Sequence, residues 1–556
     1  MKKLCTFILC ATLFIQTVQA QLTAEQWRED LQFLKTTVHN KYPMLFHMVT
    51  AQQFDDAVAS LDKRIPELQG YEVAAELSKI VAMFRIGHTN LWLFPAHGHH
   101  NNGAPAALNF NVVPVSFYAF SDGFYIKSAD KQYENGVGSK VLKIGNLETA
   151  AALEAIRPYV AYENEQGFKS NAPFYLTVLE ILKTAKIIDQ LDYLPVVISK
   201  NGKEETIRFE KAPLSMDRFS TTGLTIPSNW ADANTTSEIP LWMRDGKEYR
   251  SMEYLKDSKT LYVRHSVTLN DGDKTIQAFF KNLLDFIDKN EVNKLILDVR
   301  MNGGGNNYLN KPIITSLIQA RKVNQKGKFY CIIGRRTFSA CQNLVNELEK
   351  YTEVTFVGEP SSENINFYGD TKQEVLPNSK LAASLSWMWW QNSDPRDKRA
   401  WTPPHLAVDM SFADYQKGID PAMNVISAHN SSADIENQLR ELVIKGNYDE
   451  AVDIAKAYLQ DPLHRYFKGD LETKINDFGY TLMNQEKFEI ANKVLKMNID
   501  LFPESANAYD SYAETFMKMG KKDEAIKYYQ LAIAKDTPNG VTADNAKRQI
   551  EKIKGK

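Results

Sequence analysis

The stretch that most constrains this chain runs from residue 294 to residue 350, where two strand-to-turn junctions follow each other closely. The first, KLILDVRMNGGGNN (294–307), carries an apolar run of Leu295, Ile296, Leu297 and Val299, interrupted only by Asp298. A run without polar alternation predicts a parallel strand buried on both faces. The turn Asn302-Gly303-Gly304-Gly305 that ends it lets bare backbone N–H groups face whatever lies beyond. The second, FYCIIGRRTFSACQNLVNELEK (329–350), gives another apolar strand that breaks at Gly334. Cys341, Leu344, Val345 and Leu348 then recur at helical spacing, so a helix begins just after Ser339. A strand at 258–267 and a helix around Ile276 to Ile287 precede these junctions and extend the βαβ order to a mixed α/β sheet.

Ser339 therefore stands at a helix N-terminus. A serine hydroxyl is a poor nucleophile until a base takes its proton and donors await the oxyanion formed on attack. The amide of Ala340, with those of Gly303 and Gly304, supplies donors of the right kind at the positive end of a helix. The same residues serve equally well as an N-cap and a tight turn, and local sequence does not separate these readings. Phosphate binding by the glycines is disfavoured, since no Gly-Lys-Ser/Thr follows and the G-x-G-x-x-G spacing is absent.

LILDVRMNGGGN, the TFSA around Ser339, VGEPSSENINFYGD (357–370), LPNSK (376–380) and WTPPHLAVDMSFADYQKGIDPAM (401–423) together resemble the tail-specific, or C-terminal processing, serine peptidases, in that family's order and across most of residues 23–430. The resemblance implies a multidomain α+β chain: an N-terminal helical segment (21–104), a PDZ-like module (105–212) and an α/β, ClpP/crotonase-like peptidase core (213–430). It also implies a base. GHT at 87–89 is similar to the His-Thr motif of the tricorn-core and chlamydial protease branch, which gives His88 that role. Other branches place a lysine after a Gly-Glu turn. Here Gly358-Glu359-Pro360 runs into Ser361, Ser362, Glu363 and Asn364 with no lysine, and Lys372 comes too late. A neutral imidazole accepts a serine proton near pH 7, whereas a solvated lysine is already protonated. For the acid that orients the imidazole, the branch comparison selects Asp397, although Asp394 to Asp397 also reads as a solvated turn. His265, on the strand before the NGGG junction, is a structural residue and the runner-up base.

The N-terminal MKKLCTFILCATLFIQTVQA has two lysines, an apolar stretch and a small residue at Ala20, the pattern of a secretory signal (1–20). We expect an exported chain, periplasmic or extracellular, with no integral membrane segment after cleavage. That leaves Cys331 and Cys341, which read as buried thiols rather than a disulfide framework. A net charge of −2 gives no electrostatic reason to expect nucleic acid. The loop HGHHNNG (97–103) invites a metal, but without spaced Cys, Asp or Glu ligands we expect neither metal nor cofactor.

Thr23 and Gln26 form a capping-box signature, and Trp27, Leu31, Leu34 and Val38 mark one buried helix face. Asn201-Gly202 predicts a hairpin within 195–210. Residues 213–250 show little periodicity and read as loops over the core. Past residue 430 only helical periodicity remains. Gly479 and Ala513, like Ala491 and Ala525, are separated by the tetratricopeptide period, which predicts all-α repeats over 431–556. The expected activity is peptide-bond hydrolysis through an acyl-enzyme, acting on a peptide or protein, with a protein partner for the repeats. The alternative is a catalytically silent relative that carries an apolar ligand, as retinoid-binding relatives of this fold do, or that acts as a repeat-based scaffold.

Overall fold

The computed structural model describes residues 22–93, 110–214, 220–429, 435–537 and 540–555. The signal-like segment and the histidine-rich loop at 97–103 lie outside these residues. At the centre is a six-stranded sheet in the order Arg250–Leu255, Thr260–His265, Lys294–Asp298, Phe329–Ile333, Thr355–Gly358, Leu406–Ala407. The first pair is antiparallel and every later pair is parallel. Alternate side chains on one face, among them Val263, Leu297 and Cys331, pack under the helices Ile276–Lys289, Asn310–Gln319 and Ala340–Tyr351. Tyr262, Ile296, Tyr330, Ile332 and Val357 face the other way, against Ala422 and Ile426 of helix Pro421–Ala428. Burial on both faces is why these strands read as continuous apolar runs. Cys331 and Cys341 are free, buried members of the same cluster.

A second, seven-stranded antiparallel sheet spans Val115–Phe120 to Trp230–Asp232. Its hairpin turns where the sequence predicts, with Lys200 paired to Lys203 across Asn201 and Gly202, both at positive φ. The stretch 213–250 is mostly irregular, as expected, but Trp230–Asp232 joins the edge of this sheet beside Gly123–Asp130.

The N-terminal segment forms three helices, Ala24–Lys41, Ala51–Arg64 and Gly70–Ala82, the first opened by the Thr23/Gln26 capping box. Their apolar faces join those of the seven-stranded sheet in one cluster that also takes in Leu376, Leu381, Ala383 and Leu385. Two devices tie this unit to a hairpin emerging from the core. Strand Asn90–Trp92 pairs with Ala382–Trp390, itself paired with Phe367–Val375. Buried Asp30, from the first helix, accepts the backbone N–H groups of Asn378 and Ser379 at 2.7 and 2.8 Å.

The C-terminal region is all helical, from Ile435–Lys445 to Val541–Ile553. Gly479 packs so closely on the next helix that a Cβ there would lie 2.6 Å from Leu495 Cγ, and Ala491, Ala513 and Ala525 are fully buried. This region docks on the core through Arg465, ion-paired to Asp409 at 2.7 Å, and through Phe467 stacked on His405.

Candidate active site

The glycine turn leaves the end of strand Lys294–Asp298, and Ser339 closes the turn after its neighbour Phe329–Ile333, so parallel pairing brings the two junctions side by side. Contact is close: a Cβ on Gly304 would lie 2.6 Å from Ser339 Cβ, and Gly304 takes φ +100°. Ser339 has φ +58° and ψ −127°, a conformation unusual for any residue with a Cβ. It occupies the N-cap position of helix Ala340–Tyr351, yet its side chain makes no capping bond. Its Oγ lies 3.0 Å from His88 Nε2 instead. Backbone strain of this kind clusters at functional sites, and here it turns the serine away from its capping role and toward the imidazole.

His88 follows the last N-terminal helix and precedes strand Asn90–Trp92, whose pairing with the hairpin carries the imidazole to the core. Phe338 stacks on one side of the ring at 4.4 Å, and Phe367 lies parallel to it at 5.9 Å. Gly87 permits the closer stack, because a Cβ there would fall 2.9 Å from Phe338. Behind the ring, His88 Nδ1 lies 2.9 Å from Glu363 Oε1, and Glu363 is fully buried. The two atoms sit off the hydrogen-bond axis, and neither has another hydrogen-bond partner. The other oxygen, Oε2, accepts the backbone N–H of Ser339, so one carboxylate touches both the His88 imidazole and the Ser339 main chain.

Asp397, expected behind the imidazole, is elsewhere. Its carboxylate grips Arg399 through Nε at 3.0 Å and Nη2 at 2.8 Å, and Arg399 continues to Glu349. The Arg399 guanidinium holds the Asp397 carboxyl below its ordinary range. An aspartate two residues before an arginine satisfies itself locally, and Asp394 does the same with Arg396. The acid at the imidazole is Glu363, from the segment that sequence comparison searched only for a lysine. His265 is buried 5.9 Å from the Phe280 ring, and burial pushes its pKa down to about 3.

The expected oxyanion donors also divide. The Gly304 amide is engaged, donating at 2.8 Å to Oδ1 of Asn302, a fully buried side chain anchored on His265 O. The amides of Gly303 and Ala340 have no protein acceptor among the described residues, and the space beside Gly303 is open for 4 Å. Two unengaged donors beside a nucleophile, one at a helix N-terminus, suit a developing oxyanion.

Sequence reading missed one more acid. Glu163 arrives from the loop before helix Glu165–Tyr175 and accepts N–H groups from Gly87 at 3.4 Å and Asn364 at 3.1 Å. It thus bridges the residue before the base and the residue after the orienting acid. Burial and the neighbouring Glu363 push its pKa up to about 8, and burial raises Glu363 as well. Burial lowers the pKa of His88. Two buried carboxyls beside a neutral imidazole favour retention of a proton, and that preference relaxes once the imidazole becomes charged. Donor atoms of His88, Glu163 and Glu363 lie within 4.8 Å of one another, a spacing that a divalent cation accepts. Nothing in local sequence marks Glu163, which is recruited from a loop between elements of the seven-stranded-sheet region.

No family profile and no curated protein matches the chain. Solved structures do. Mature CPAF in complex with lactacystin superposes with a TM-score of 0.51 at 11% identity, covering 73% of this chain and 97% of that one. Mature CPAF alone gives 0.50 at 12% identity, covering 73% and 96%. The photosystem II D1 C-terminal processing protease aligns over 70% of this chain and 94% of its own, at 12% identity and a TM-score of 0.33. At these identities the CPAF likeness is one of fold.

Proposed function

We propose that this chain is a serine peptidase that cleaves peptide bonds through an acyl-enzyme. The observation that carries the reading is the contiguous series Ser339 Oγ, His88 Nε2, His88 Nδ1 and Glu363 Oε1, with separations of 3.0 Å and 2.9 Å at its two ends. His88 takes the serine proton as Oγ attacks the peptide carbonyl. Glu363 holds the ring and offsets the charge of the imidazolium. The amides of Gly303 and Ala340 receive the oxyanion. The tetrahedral intermediate collapses as His88 gives its proton to the leaving amine, and water then releases the acyl group by the same steps in reverse. The seven-stranded sheet is read as a PDZ-like module, the core as ClpP/crotonase-like, and the C-terminal helices as tetratricopeptide repeats that offer a protein-binding surface. Among the described residues no helix is long and apolar enough to cross a membrane. We place the mature chain outside the cytoplasm on the signal-like segment alone, which N-terminal sequencing of secreted protein would check.

The test is labelling of the full chain with a fluorophosphonate, which reacts only with an activated serine. Wild type should label, and Ser339→Ala and His88→Ala should not. Labelling that survives in folded Ser339→Ala would overturn the assignment.

A further inference from the structure

A cavity of about 340 Å³ lies between the seven-stranded sheet and the carboxyl ends of the core strands, a size that suits a small organic ligand. Phe117, Phe120, Ile226, Trp230, Trp242 and Met301 make much of its wall apolar. Among the described residues its charged lining is mostly cationic: Lys127, Lys169, Arg300, Arg335 and Arg336 face a single carboxylate, Glu359. Trp242 Nε1 and Ser128 Oγ are buried there without hydrogen-bond partners among the described residues. Arg336 has no ion pair or hydrogen bond among the described residues. Its guanidinium lies against Gly223, where a Cβ would fall 2.7 Å from Cζ. Arg336 is an exposed residue that lines the cavity, and neighbouring protein lowers its pKa by partial desolvation. Lys127 contacts the Tyr415 ring at 5.3 Å and makes no ion pair among the described residues, although Asp232 lies near enough to act on its charge. Desolvation lowers its pKa too.

The neighbouring cations differ. Arg335 is paired with Glu359, and Arg300 with Asp298 and Asp420, although both arginines reach the same wall. Among the described residues neither Lys127 nor Arg336 has the direct ion pair that Arg335 and Arg300 have, and Asp232 acts on Lys127 only from beyond that distance. Trp242 Nε1 and Ser128 Oγ are buried polar atoms whose unmet hydrogen bonds are costly unless something brings an acceptor in, and Lys127 and Arg336 line the same cavity without a direct ion pair among the described residues.

We propose that this cavity binds a carboxylate carried on an apolar body, with Arg336 and Lys127 as its counter-charges and the aromatic walls enclosing the rest. A bare phosphate would leave those walls unfilled. Ser339 is not part of the wall, so occupancy can be measured whether or not the chain is a peptidase. Met301 and Arg336 lie two and three residues before Gly303 and Ser339, so a ligand here sits beside the strand ends that carry the reaction site.

The experiment is a tryptophan-fluorescence titration of the full chain, since Trp230 and Trp242 line the cavity. The probes are 4-phenylbutyrate, its neutral amide 4-phenylbutyramide, and inorganic phosphate. Saturable binding of the carboxylate, at least tenfold tighter than the amide, with no saturable response to phosphate, is expected. Arg336→Met and Lys127→Met should each weaken it tenfold or more, while Arg336→Lys retains part of the affinity. The thermal midpoints of the methionine variants should hold or rise, because each removes a cation with no direct ion pair among the described residues. Equal affinity for the amide, or wild-type binding by both methionine variants, would overturn the site. So would midpoints lowered by several degrees, which would show that the cations serve the fold. Inhibition of peptide hydrolysis by 4-phenylbutyrate separates the sources of the group: competitive inhibition assigns it to the substrate peptide, and non-competitive inhibition to a separate small acid.

Discussion

Exchanging Glu363 for glutamine, with Asp397→Asn beside it, discriminates between the acid that the structure places at the imidazole and the acid that sequence comparison selects. Glutamine keeps the shape of Glu363 and its acceptor for the Ser339 amide while removing the charge 2.9 Å from Nδ1. At an effective dielectric of about 20, a unit charge pair at that separation is worth about 6 kcal/mol, which sets the scale for lost imidazolium stabilisation. Each factor of ten in rate is about 1.4 kcal/mol, so the loss should approach ~10⁴-fold, the size seen when the acid of a serine triad is neutralised. Asp397→Asn breaks only a partly exposed arginine clamp and should change the rate less than about threefold. The assay is the second-order rate of fluorophosphonate labelling, with circular dichroism confirming that both variants fold. Wild-type labelling by Glu363→Gln, or an equal collapse in Asp397→Asn, would refute the reasoning.

Glu163 makes stability depend on pH. The folded protein keeps that proton up to about pH 8, whereas an unfolded chain releases it near 4.5, so between these values the folded state binds more protons and stability falls as pH rises. Urea unfolding should show Glu163→Gln flattening the slope by about 1.4 kcal/mol per pH unit there, and an unchanged slope would mean that Glu163 is ionised throughout. Burial of His88 extends its neutral form to lower pH, so the acid limb of the labelling profile should lie below the ordinary histidine value near 6.5. Gly304→Ala, at φ +100° and 2.6 Å from Ser339 Cβ, should lower stability by about 1–3 kcal/mol and slow labelling more than tenfold. Gly303→Ala, with open space around it, should leave stability near wild type. Gly479→Ala should overpack against Leu495 by about 1–3 kcal/mol and speed hydrogen exchange in 468–518, and slower exchange would show that the helix pair has room to spare.

What the sequence disclosed was local. A continuous apolar strand, a glycine turn and a helical pattern starting after a serine are written in neighbouring residues, and the sheet pairs them as expected. The capping box at Thr23 and the Asn201-Gly202 hairpin were legible for the same reason. The acid was not, because the sequence around Asp397 gives no sign that Arg399 already holds it, nor that the 360–366 turn brings Glu363 behind an imidazole 275 positions earlier. Asn302 was likewise hidden. In sequence it is part of a flexible turn; in the fold its side chain closes one of the three amides counted as donors.

The clamp between Asp30 and the 376–381 turn, with strand Asn90–Trp92 laid on Ala382–Trp390, has a consequence for the timing of synthesis. The nucleophile turn can form once strand Phe329–Ile333 and its helix have left the ribosome. Strand Asn90–Trp92, which follows His88, pairs with a hairpin strand that ends at residue 390, and the groups that flank the imidazole, Phe338, Glu363 and Phe367, also come late in the chain. On the proposed mechanism, a chain that has not folded through that point holds Ser339 without its proton acceptor, so about seven-tenths of the polypeptide must be in place before the site can assemble.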